Sequence, residues 1–167
     1  MLANEALGLV PELVRRELVA QVEGLRGLRA RIHELERQIG SWQRRETECR
    51  GIAQVPGVGQ LTATAVVAMV GDARTFGSGR EFSAYLGLVP RQSGTGGRVR
   101  LLGISKRGDP YLRTLLIHGA RSVLVQQSRA DRERDPWLKE LLSRRAKNVA
   151  IVALANKMAR TIWALLA

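Results

Sequence analysis

Cysteine is nearly missing from the 167 residues: Cys49 stands alone, so no disulfide framework and no cysteine-based zinc site can form within the chain. A reducing cytoplasm is the setting this implies. Histidine is almost as scarce, with His33 and His118 far apart in sequence. No apolar run reaches the ~18 residues that span a bilayer, and the opening MLANEALGLVPELVRRE lacks the basic n-region and cleavage pattern of a signal peptide. There is no internal repeat and no low-complexity tract.

Acids are outnumbered, 15 Asp plus Glu against 27 Lys plus Arg, and they are scattered. Metal-dependent cleavage of a phosphodiester needs several carboxylates converging on Mg²⁺. Glu34 and Glu36, Glu46 and Glu48, and Asp131, Glu133 and Asp135 alternating with Arg132 and Arg134 read instead as solvated, salt-bridged surface. No metal site is expected in the chain. Cys49 has Arg45 and Arg50 nearby but no histidine to activate it, and His118 on a largely apolar helix reads as a packed, hydrogen-bonded side chain.

What is present is positive charge, a formal +12, spread along the chain and concentrated in LVPRQSGTGGRVRLLGISKRGD at residues 88–109. Arg91, Arg98, Arg100, Lys106 and Arg107 lie there among Gly94, Gly96, Gly97, Gly103 and Gly108, and Asp109 is its only acid. Arg113 follows closely. Charge in a glycine-rich loop, not along one face of an amphipathic helix, favours a nucleic acid over an anionic membrane as the polyanionic partner.

The spacing predicts a mainly α protein. From Pro11 to about Arg50, Leu18, Leu25, Leu28, Ile32, Leu35, Ile39 and Trp42 fall on heptad a and d positions, interrupted at Gln21. Charged residues fill most other positions, so the narrow stripe reads as a coiled-coil or helical-hairpin seam, with an ordinary long core helix as the alternative. Gly24, Gly27 and Gly40 each weaken such a helix by about 1 kcal/mol relative to Ala, so the arm needs a partner, and self-association through residues 18–42 is expected.

At Gly51 the composition shifts. In IAQVPGVGQLTATAVVAMVGD, Ile52 and Val55 precede Gly57-Val58-Gly59, and Ala63, Val66 and Val67 follow, the spacing of a helix-hairpin-helix at about residues 52–70. Glycines permit the tight turn, Val58 plugs the core, and small Ala63 lets helices approach. Outward backbone N–H groups would then hold phosphate; a plain αα-turn is the alternative reading. Ser78 with Glu81 forms a capping box for a short helix carrying Phe82, Tyr85 and Leu86. Asp109-Pro110 and Asp135-Pro136 each supply an N-cap and a first-turn proline, and a last helix runs from about Lys147 to Leu166.

Within the basic loop the candidate nucleophile is a hydroxyl. Ser93 and Thr95 are hemmed by Arg91, Arg98 and Arg100. Arginines can offset charge on a pentacovalent phosphorus, and glycines let bulky DNA approach. Both hydroxyls also suit an ordinary loop role, bonding their own backbone.

Three ordered motifs, VPGVGQLTATAVVAMVGD, FGSGREFSAYLGLVPRQ and GGRVRLLGISKRGDPYLRTLLIHGAR, resemble the C-terminal domain of the insertion-sequence transposases of families 110, 116 and 902, most strongly over about residues 50–125. The resemblance implies a serine-supplying domain that assembles with DNA and a structured guide RNA. It also implies a separate resolvase-like domain whose four acids bind Mg²⁺. Only the arm and the serine domain are found here, so a chain starting at Met1 before the arm is expected to be a truncated or split frame, inactive alone. The family's loop reads Pro-Arg-Gln, one variable residue, Ser, Ser or Thr, then Gly-Gly. Here Gly94 and Thr95 stand at the hydroxyl positions and Ser93 lies one residue early, which leaves Ser93 or Thr95 as nucleophile.

The expected organisation is therefore a helical arm at 1–50 and a helical domain at 51–167. That domain holds the helix-hairpin-helix, the basic loop or small β-hairpin at 88–109, and C-terminal helices at 110–167. Gly57, Val58, Gly59, Arg91, Arg98, Arg100, Lys106, Arg107 and Arg113 are the expected nucleic-acid contacts, and the expected location is cytoplasmic, at the nucleoid.

Overall fold

The computed structural model describes residues 11–95, 98–129 and 135–167. Asp131 to Arg134 and the glycines at 96 and 97 lie outside the described residues. Among the described residues seven α-helices and one two-stranded sheet follow in the order α1 Glu12–Arg45, α2 Thr47–Ile52, α3 Gln60–Val70, α4 Gly79–Tyr85, β1 Pro90–Thr95, β2 Arg98–Ile104, α5 Pro110–Arg129, α6 Pro136–Arg144 and α7 Lys147–Leu166. A short 3₁₀ turn, Ala73–Thr75, lies between α3 and α4. The mainly α architecture with a long N-terminal helix is the one the spacing predicts. The chain divides into two compact units, Met1–Ser41 and Trp42–Ala167, against an expected division near Gly51.

In the first unit α1 is held by local pairs: Glu34 accepts from Arg37 and, at 2.8 Å, from Gln38, and His33 lies 3.2 Å from Glu36. Its apolar stripe stays open, with Leu25 60%, Leu28 63% and Ile32 53% exposed. Helices of globular proteins usually turn such a stripe to a core.

The second unit has one core. α7 forms its centre, burying Ala150, Ile151, Leu154, Ala155, Met158, Ala159 and Ile162 against α4, α5 and α6. Here the sequence reading needs correction: by length and composition α7 is apolar enough to cross a membrane. Seven of its residues are buried in the core of this unit, while Asn148, Lys157 and Arg160 stay exposed. α5 contributes Leu112, Leu116, Ala120, Val123 and Leu124. His118 lies on the opposite side of α5 and is exposed, not packed as expected. Trp163 of α7 donates its Nε1–H to the carbonyls of Ala73 and Phe76, at 3.1 and 3.2 Å, tying the 3₁₀ turn to the core.

The helix starts follow the sequence signals. Asp109 Oδ1 accepts from Leu112 N at 2.7 Å, Asp135 Oδ1 from Trp137 N at 3.0 Å, and Ser78 Oγ from Glu81 N at 3.2 Å. Glu81 does not complete the usual reciprocal box. Its carboxylate takes the N–H of Gly77 at 2.8 Å, one residue earlier, which still satisfies a donor at the helix entry.

Candidate nucleic-acid interface

Helices α2 and α3 are joined across residues 53–59. Val55 and Val58 turn inward and are buried, and Val58 N donates to Val55 O at 2.9 Å. Val58 therefore reaches a partner only through its backbone. Gly57 takes φ +86° and packs against α5: a Cβ there would stand 2.7 Å from the Gly119 carbonyl oxygen. Two glycines facing each other bring the turn and α5 to backbone contact, so Gly57 is committed to packing. Gly59 is exposed, with open space around it, and caps α3 in extended conformation without any side-chain bond. Of the three expected turn contacts, Gly59 is the one facing solvent.

The basic loop is an antiparallel ribbon. Its register pairs Ser93 with Arg100, Gly94 with Val99 and Thr95 with Arg98, with an irregularity between Pro90 and Gln92. Directly opposed residues of an antiparallel pair share a face, with Cβ atoms about 5 Å apart. The hydroxyl of Ser93 and the guanidinium of Arg100 thus belong to one exposed face. Arg91, Arg98, Arg100, Lys106 and Arg107 are all exposed, and among the described residues none of them forms a salt bridge.

The base of the ribbon is tightly built. Ser105 N donates to Val89 O at 2.8 Å and Lys106 N to Gly87 O at 3.1 Å. Gly87 and Gly108 have φ +70° and +104°, and a Cβ on Gly108 would collide with the Tyr85 carbonyl. Glycine here provides close backbone approach where strand and helix ends meet, not looseness. Arg113 belongs to the same junction: half-buried, its Nη1 donates to the carbonyls of Leu86 at 3.1 Å and Asp109 at 3.4 Å. The remaining expected cations face solvent; Arg113 is occupied as a brace.

Other candidates recede. Cys49 is fully buried, and burial first, then the carboxylates of Glu46 and Glu48, push its thiol above the ordinary range, so little thiolate exists near neutral pH. Among the described residues no group of three or more His, Cys, Asp and Glu converges, so they do not fit the Mg²⁺ that the resemblance implies.

Beside the ribbon runs a groove of about 1340 Å³, walled by the base of β1 and β2, by α7 and by Trp137 of α6. Among the described residues Arg91, Lys106, Lys157 and Arg160 are its ionisable lining residues, and no carboxylate lines it. In sequence, Lys157 and Arg160 are only the polar side of the last helix. Packing alone brings them to the ribbon.

A mainly α body carrying an exposed cationic ribbon is the class of protein defined by this geometry. The chain belongs to the Transposase IS116/IS110/IS902 family, which it matches over residues 49–142. It is 55% identical over 142 residues to a probable family 20 transposase of Pseudomonas aeruginosa, covering 85% of this chain and 42% of that protein. With the transposase for insertion sequence element IS1111A of Coxiella burnetii it shares 45% identity over 166 residues, 99% of this chain and 45% of the relative. A transposase for insertion sequence element IS1328 of Yersinia enterocolitica is 39% identical over 132 residues, 79% of this chain and 40% of its own length. The chain thus spans less than half the length of these relatives.

Proposed function

We propose that the chain is the DNA-gripping, strand-transfer part of an insertion-sequence transposase, and that the ribbon β1–β2 presents its nucleophile. The observation that carries this is the register: Ser93 opposite Arg100 and Thr95 opposite Arg98, on a ribbon whose arginines have no described carboxylate partner. An incoming phosphate meets an uncompensated positive surface beside a hydroxyl. In the proposed step the serine Oγ–P bond forms as the bond to the leaving deoxyribose oxygen breaks. The Oγ proton passes to a base, the leaving oxygen gains a proton, and the arginines offset the charge on phosphorus.

No titratable side chain bonds Ser93 among the described residues, and a hydroxyl is a weak nucleophile near neutral pH without a base or metal. The reading therefore requires a metal-binding acidic domain supplied from outside these 167 residues. It also takes Gly59 and the start of α3 as a backbone phosphate contact, the stripe of residues 18–42 as a self-association seam, and a structured guide RNA as a further partner in the cytoplasm. A second reading, a non-catalytic binding module with a helix-hairpin-helix, is favoured by the same lack of a base at Ser93.

The two are separated by trapping protein–DNA adducts with the acidic domain fused or supplied in trans, together with the element's DNA and guide. Ser93→Ala should abolish the covalent linkage while leaving salt-dependent binding nearly intact. Loss on Thr95→Ala alone moves the role to Thr95. Linkage that survives the double replacement removes the ribbon from the chemistry.

A further inference from the structure

The groove beside the ribbon has a lining that the strand-transfer reading does not use. Its volume of about 1340 Å³ exceeds the ~300–1,000 Å³ of ordinary small-molecule pockets, so it suits a segment of polymer. Its floor is apolar, with Leu88, Pro90, Ile104, Val152 and the half-exposed Val149. Among the described residues its ionisable groups are all cationic, and Asn148 and Thr161 add neutral hydrogen-bonding groups along α7. Lys157 is shared, lying 3.0 Å from Asp135 and 4.5 Å from the centre of the Trp137 ring; Arg91, Lys106 and Arg160 have no described carboxylate partner.

From this charge complementarity we infer that the groove holds a short single-stranded segment of nucleic acid running off the ribbon. Unpaired bases and sugars lie on the apolar floor, and phosphates follow Arg91, Arg160 and Lys106. A duplex has no unstacked bases to offer the floor, whereas single-strand channels combine cations with apolar or aromatic surface. Arg91 lines the groove and lies two residues before Ser93 in β1, so a strand leaving the ribbon face enters the groove directly. The inference rests on the reading of the chain as a nucleic-acid binder and extends it by separating a single-strand site from the ribbon.

The test compares a fluorescein-labelled oligothymidylate with a labelled duplex by anisotropy, using the full chain. Arg160→Glu and Val149→Asp, both at exposed positions, should each weaken oligothymidylate binding by about tenfold or more and change duplex binding less than about twofold. Asn148→Asp is a third variant on the same wall. Equal losses on both probes, or none on oligothymidylate, overturn the single-strand site. If oligothymidylate is unaffected and a polyglutamate peptide binds the unmodified groove but not Arg160→Glu, an acidic polypeptide is the occupant instead. Failure of the ribbon reading looks different: duplex binding is then weak and salt-insensitive, whatever the groove variants do.

Discussion

At the scale of the residue, the pair Gly57–Gly119 shows how two opposed effects are decided. Alanine in place of Gly119 gains about 1 kcal/mol of helix propensity, but its Cβ would overlap the Gly57 carbonyl, a backbone atom that cannot swing aside. We expect a net loss of about 1–3 kcal/mol for Gly119→Ala in urea unfolding, whereas Gly51→Ala, with open space at its site, should be neutral or stabilising. Asp135 offers a second reading at this scale. The hydrogen bond from Lys157 holds its carboxyl below the ordinary 3.8, so its contribution is complete above that value and fades as pH falls through the lower folded one. Asp135→Asn should therefore lower Tm near pH 7, and the difference from the unmodified chain should vanish in strong acid. The Asp-Pro signal that marks this position was plain in sequence; the Lys157 partner, 22 residues away, was not.

At the scale of the element, α1 and the ribbon β1–β2 make opposite demands. The open stripe of α1 seeks apolar cover, and a second copy of the same stripe would provide it under the proposed self-association. Leu28→Asp with Leu35→Asp would place charge in that seam and should yield a monomer by sedimentation velocity; a monomeric unmodified chain at micromolar concentration counts against the seam. The ribbon seeks anions. Replacing Arg98, Arg100, Lys106 and Arg107 with Ala should weaken duplex binding across sequences. The log–log salt slope should flatten by as much as about 3.6, or ~0.9 for each phosphate released. An unchanged slope would mean that phosphates bind elsewhere. Arg113→Ala, by contrast, should act on stability, because its guanidinium braces the Leu86 and Asp109 carbonyls.

At the scale of the whole molecule, the groove and the ribbon share a frame provided by α7. Hairpin base, α4 and α6 all pack on or beside this helix, so strand geometry at Ser93 depends on the same core that orders the groove. Asn156 shows the link directly, donating to the carbonyl of Leu88 at 3.2 Å just before β1. Because the described residues provide no convergent acids, the 167-residue chain should bind DNA without cutting it even with Mg²⁺. Cleavage of a plasmid or oligonucleotide by this chain alone would show that the acidic partner is not needed.

Local signals were enough for the helix caps at Ser78, Asp109 and Asp135, the charge of residues 88–109, and the family motifs, because each depends on residues a few positions apart. The sequence left loop or hairpin open for residues 88–109, and strand pairing resolved it. The register that sets Ser93 against Arg100 depends on hydrogen bonds between strands. Likewise, the commitment of Gly57 to Gly119 and of Arg113 to Leu86 joins atoms from separate elements. His118, expected packed and found exposed, departs for the same reason: a helix has a composition, but which side meets a neighbour is decided by what packs there. Only the tertiary structure could bring Lys157 and Arg160 of the last helix to the edge of the ribbon, since no periodicity within α7 says which cations will face a cleft and which will face open water.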